Sequence, residues 1–218
     1  MKNRAWLDWM FTLPHIKIEL CSKATAEPIK SDSIAAIVLK AILNNLNFTS
    51  IYSFNYTSLH KIGEQLGLKS RIIYEHIHGS LQDDNVIVGA PEDMEINEHY
   101  SSNALIHDLR DAKEVVFFGH SLGPTDYHYF QEFFKTQCVD GLPRKDAKKI
   151  TIFTYDDASR ISILSQLRRM NENKTNLLYG QNDFKIIMTS KRDCPDLKAF
   201  LEHLHQTTKR RTTIYTAM

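Results

Sequence analysis

Residues Val115 to Phe134 read VVFFGHSLGPTDYHYFQEFF. Four apolar residues, Val115 to Phe118, have the length and composition of a strand buried on both faces, as in a parallel sheet. Gly119 and Gly123 bound a turn, and Pro124 with Thr125 or Asp126 supplies a helix start. Beyond it Tyr127, Phe130, Phe133 and Phe134 recur at helical spacing. The stretch is therefore a strand, a glycine-bounded loop and a helix. In open parallel sheets, ligands sit where a strand's C-terminus passes to a helix N-terminus. The loop carries His120, Ser121, Thr125 and Asp126, more polar chemistry than a plain connection needs. A tight turn with a helix cap is the simpler alternative.

Two earlier stretches end in the same way. Ile51 to Thr57, IYSFNYT, is a β-rich run that reaches Asn55. Ile72 to Ser80, IIYEHIHGS, is another that reaches His78-Gly79. If all three strands are parallel, Asn55, His78-Gly79 and the loop Gly119–Asp126 converge on one edge of the sheet. The rest of the chain alternates accordingly. A helix follows Asp32 or Ser33 to about Leu46, with Ile34, Ile37, Val38, Ala41 and Ile42 as its buried stripe. Strands are expected over 48–54, 71–77, 86–88, 150–155 and 184–188. Helices are expected over 58–66, 101–111, 156–170 and 196–206, the third capped by Asp156 or Asp157. This order predicts one α/β domain over 1–218, three-layered and with a mostly parallel sheet. Residues 1–31, with Trp6 and Trp9, fit no single pattern, and 207–218 read as a flexible tail.

Composition sets the class. The 218 residues are 42% hydrophobic and 24% charged, ordinary for a soluble globular protein. No run of 18 apolar residues predicts a membrane span, and no signal peptide opens the chain, so a cytoplasmic location is expected. Three widely spaced cysteines, Cys21, Cys138 and Cys194, fit reduced thiols. The net charge of +1 hides an asymmetry: 12 basic and 18 acidic residues up to Asp140, 15 and 8 beyond it. The basic part includes Arg144, Lys145, Lys148, Lys149, Arg168, Arg169 and Lys209 to Arg211. Nucleic-acid contact is one reading of it, and a solvated face with a frayed tail is the other. The ten histidines include His76 and His78, two apart on a strand. None stands with a carboxylate or cysteine at zinc spacing, so no metal is expected.

The trio FNYT, HGS and GHSLGPTD resembles the AbiH family of bacterial abortive-infection (anti-phage) proteins, which look like distant members of the sirtuin-like NAD-binding group. The resemblance covers Phe48 to Phe134, with weaker support to Ile187. It implies a sirtuin-like, Rossmann-like fold with NAD as ligand or substrate. Members of the family usually open with a strand and a Gly-Asn-Gly-Phe-Asp type loop. This chain has no such segment and no glycine before Gly63, so the first strand and Gly-rich loop are expected to be missing. A chain of that kind would self-associate or need another chain, and would bind NAD poorly or not at all, with weak or no cleavage, until the segment is restored.

Cleaving nicotinamide from NAD passes through an oxocarbenium-like ribose, as glycoside hydrolysis does. An Asn at a strand end can hold the ribose or the attacking water, and a His can serve as base. Asn55 and His78 are the catalytic candidates, and by resemblance they match the residues tied to NAD cleavage. Thr57 stands where many sirtuin-like relatives carry Asp. By the same resemblance Gly79 lets backbone approach the ligand, and Gly119, His120, Ser121 and Asp126 belong to the part that lines the adenosine side. Turn chemistry alone would also account for Asn55 and His78. Three readings follow: an NAD-binding or NAD-cleaving defence protein, a non-catalytic scaffold or partner domain, and a nucleic-acid-binding domain.

Overall fold

A computed structural model describes residues 33–45, 50–54, 73–79 and 102–215. In chain order the elements are α1 (Ile34–Leu43), β1 (Ser50–Ser53), β2 (Ile73–His76), α2 (Ser102–Asp111), β3 (Glu114–Phe118), a 3₁₀ turn (Pro124–Asp126), α3 (Tyr127–Thr136), β4 (Lys149–Thr154), α4 (Asp157–Met170), α5 (Thr175–Gln181), β5 (Asp183–Met188) and α6 (Pro195–Tyr215). Both described sheets are parallel, β1-β2 and β3-β4-β5, and helices alternate with strands. The protein is an α/β protein. The expected strand at 86–88, the helix at 58–66 and the segment 1–31 lie outside the described residues.

The described residues belong to two compact units. In the unit that holds 102–190, β4 is the central strand, and Ile150, Ile152 and Phe153 are completely buried. Val115 pairs with Ile150 and Phe117 with Ile152, so these side chains share one face of the sheet. Phe117 meets three rings of α3 on that face: Phe130 edge-on at 5.4 Å, Phe133 at 6.4 Å and Phe134 stacked at 5.7 Å. Such aromatic pairs add about 0.5–1.5 kcal/mol each beyond the area they bury. Of the helix-spaced aromatics Phe130, Phe133 and Phe134 are core, joined by Tyr129, while Tyr127 is only half-buried. α2 and α4 both neighbour α3.

The N-terminal edge of this sheet is held by polar groups. Lys148 is buried, and its ammonium donates to the carbonyls of Ala112 and, at 2.7 Å, of Arg110, at the C-terminus of α2. A cation there complements the helix dipole. The Asn182 carboxamide accepts from the Lys148 N–H at 3.0 Å and donates to the Gln137 carbonyl at 3.0 Å. Gln181 accepts from the Leu142 N–H at 2.7 Å, and Lys149 pairs with Glu114 at 3.1 Å.

Several boundaries differ from the sequence expectation. β3 is not buried on both faces: Val115 and Phe117 are buried, while Glu114, Val116 and Phe118 are half-buried. An apolar run of four carries no periodicity that separates the two cases. α5 was not expected at all; it is a seven-residue helix whose sequence, TNLLYGQ, holds a glycine and two amides. Of the two expected caps of α4, Asp156 is the one used, its carboxylate accepting from the Ser159 N–H at 2.9 Å.

In the second unit β1 and β2 pair in register, Ser53 opposite His76. α1 is capped by Ser33, whose hydroxyl accepts from the Ala36 N–H at 3.1 Å. The buried face of α1 is Ala35, Ala36, Val38, Leu39, Ile42 and Leu43, and Ile37 is 43% exposed. The expected stripe through Ile34 and Ile37 is therefore rotated. The sequence IAAIVLKAIL is apolar almost all round, so its spacing fits more than one face. α6 runs to Tyr215, beyond the Gln206 at which the sequence pattern fades. The Asn45 carboxamide donates to the Leu204 carbonyl of α6 at 3.0 Å, tying α1 to α6.

Candidate functional site

The loop between β3 and α3 leaves the sheet at Gly119, whose N–H donates to the Phe153 carbonyl of β4 at 3.2 Å. Gly119 has φ +67°, a value that an L side chain rarely adopts. Leu122 shares that left-handed region at φ +50° and is completely buried. For a branched, bulky residue this conformation costs on the order of 1–3 kcal/mol. Burial of its side chain and a hydrogen bond from its N–H to His120 Nδ1 at 2.9 Å offset the cost.

That hydrogen bond fixes the imidazole. Nδ1 accepts, so the ring proton sits on Nε2. His120 Nε2 lies 3.5 Å from the Asp126 carboxylate, and the two side chains are 12% and 13% exposed. At 3.5 Å this is a weak contact rather than a strong hydrogen bond. The His120 ring also packs edge-on against Phe130 at 5.1 Å. Asp126 sits at the N-cap of α3 but makes no capping hydrogen bond, so the plain helix-cap alternative does not describe it. Burial pushes its carboxyl up from 3.8 to about 6, with a hydrogen bond from the Thr125 side chain acting the other way. Next to it, the Tyr127 hydroxyl hydrogen-bonds Gln166 of α4. Ser121 is exposed, and a side chain at Gly123 would meet its Oγ at 3.3 Å.

In the other unit, β1 and β2 end at one edge because they are parallel. His78 lies just past that edge, its ring 5.6 Å from Phe54 in an edge-on contact. Gly79 is buried with φ +74°, its N–H donating to the His76 carbonyl at 3.2 Å. Only glycine takes that conformation cheaply. Asn55 and Thr57 lie outside the described residues.

Two residues of the β3-β4-β5 edge carried no signal in the sequence. Leu122 is one; nothing in HSLG marks a left-handed leucine. Thr154, the last residue of β4, is the other. It is 3% exposed, and its hydroxyl has no hydrogen-bond partner among the described residues. Among the described residues, no three His, Cys, Asp or Glu side chains are grouped to hold a metal ion. Nor is any described helix long and apolar enough to cross a membrane.

The fold and this edge define an α/β protein with a polar loop at the C-terminal end of a parallel sheet. A family model described as bacteriophage abortive infection AbiH matches residues 15–141, more than half of the chain. The chain belongs to this AbiH family, and its role is in abortive infection by bacteriophage. The match takes in β3, the loop 119–126 and α3, and ends before β4. No curated protein and no solved structure shows a significant match to the chain.

Proposed function

We propose that this abortive-infection protein binds NAD and cleaves it, with the loop Gly119–Asp126 contacting the adenosine part and Asn55 and His78 serving the cleavage. In this reading the sheet belongs to a three-layer, sirtuin-like arrangement. The observation that carries it is Asp126: a nearly buried carboxylate at the start of α3 that makes no helix-capping bond. A carboxylate in that place is a ready acceptor for the paired hydroxyls of a ribose. Gly119 supports the reading, because a glycine at positive φ leaves the backbone open to a ligand. So does Gly79, which removes a side chain beside His78.

The test titrates NAD into the full chain by calorimetry and follows nicotinamide release in parallel. Asp126→Asn should weaken NAD binding at least tenfold, the size expected for losing one charge-assisted hydrogen bond. His78→Ala should leave binding in place and cut release by ~10²- to 10⁴-fold; Asn55→Ala should act likewise. No binding heat and no release, either from the unaltered chain or with a Gly-Asn-Gly-Phe-Asp type segment supplied, would reject the NAD reading and leave the scaffold role.

A further inference from the structure

We propose that Thr154 is a further ligand-contacting residue of this edge, its hydroxyl bonding an oxygen of the nucleotide's ribose or phosphate; the inference rests on the nucleotide reading of the loop. A hydroxyl taken out of water without a partner is destabilising. At a central strand position valine has the same shape, suits a β-strand as well, and carries no such penalty. Thr154 is 3% exposed, and its Oγ1 has no partner among the described residues. Its carbonyl, by contrast, is fully used: it accepts from the Thr189 N–H at 2.8 Å and from the Thr189 hydroxyl at 3.1 Å. The backbone at the end of β4 is thus fixed while the side-chain hydroxyl remains unused.

Register places that hydroxyl. Ile150 and Ile152 face the same way as Val115 and Phe117, and Thr154 is two residues further along the same face. That is the face on which Phe117 packs against α3. At the C-terminal end of this face, Gly119 hydrogen-bonds the residue just before Thr154, and the chain then forms the loop that carries His120 and Asp126. The hydroxyl therefore points to the side of the sheet occupied by the loop and the start of α3. A threonine hydroxyl there can donate to a phosphate or ribose oxygen, or accept from a ribose hydroxyl. Because the hydroxyl is buried in this conformation, contact requires the chain around it to open.

Thr154→Val separates a binding hydroxyl from a structural one. Two results are expected of the full chain: the thermal midpoint without ligand rises by about 2–4 °C, and the NAD dissociation constant rises about tenfold. Thr154→Ser, which keeps the hydroxyl, should bind like the unaltered chain. If Thr154→Val binds NAD normally while Asp126→Asn does not, the nucleotide reading stands and this assignment falls. A lower midpoint for Thr154→Val also overturns it, because the hydroxyl is then structural. An unaltered chain that binds no NAD, alone or with the Gly-Asn-Gly-Phe-Asp type segment supplied, overturns both.

Discussion

The two edges of the β3-β4-β5 sheet use polar residues in opposite ways. At the N-terminal edge a buried ammonium, Lys148, meets two carbonyls, and Asn182 donates and accepts at once. Polar groups here close the sheet onto the end of α2. At the C-terminal edge the backbone twice enters the left-handed region, a carboxylate declines its cap, and a buried hydroxyl finds no partner among the described residues. The strands of one unit therefore carry a fastening at one end and, at the other, a buried hydroxyl with no partner among the described residues. In parallel α/β sheets that second end is where ligands bind.

The sharpest way to break this comparison is to cut the fastening. Lys148→Ala leaves two helix-end carbonyls without their donor and should cost about 3 kcal/mol, read by urea unfolding. Burial, with the Lys113 charge nearby, lowers the pKa of Lys148, which offsets part of what its two hydrogen bonds contribute. A loss below 1 kcal/mol would show that the fastening contributes little.

The opposite edge should respond with the opposite sign. Asp126 keeps its proton to about pH 6 in the folded protein, against 3.8 ordinarily. Between those values the folded state binds more protons than the unfolded one, so stability falls as pH rises through that window. Above pH 6 the full deficit is present. Asp126→Asn removes it and should be more stable than the unaltered chain by about 1–3 kcal/mol at pH 7, the gain fading towards pH 4. Thermal midpoints at the two pH values check this; a destabilised variant at pH 7 would mean that the carboxylate is structural.

Smaller effects grade the contrast. Asn182→Ala removes one acceptor and two donors from the N-terminal edge and should cost about 1.5 kcal/mol by the same unfolding assay. Ser121→Ala, at an exposed position in the loop, should move stability by less than about 0.5 kcal/mol. A larger shift would mean that Ser121 supports the loop's conformation.

How much of this was legible in the sequence depends on the residue. GHSLGPTD states its own loop, because glycine, proline and aspartate are local signals with fixed physical meanings, and Asp156 marks the start of α4 for the same reason. The parallel pairing follows from strand and helix alternation. Lys148 could not be read that way: its partners Arg110 and Ala112 are brought to it by tertiary packing. Nor could the idle hydroxyl of Thr154, because a threonine ending ITIFT looks the same whether or not it has a partner. The buried face of α1 failed for a third reason, an apolar surface too broad for periodicity to choose a side.

The most direct test of the central claim is a calorimetric titration of NAD into three full-length proteins: unaltered, Lys148→Ala and Asp126→Asn, at a temperature where all three are folded. The account predicts that Lys148→Ala, though less stable, binds like the unaltered chain, while Asp126→Asn, though more stable, loses at least tenfold in affinity. Equal affinity in all three, or a loss in Lys148→Ala alone, would contradict it.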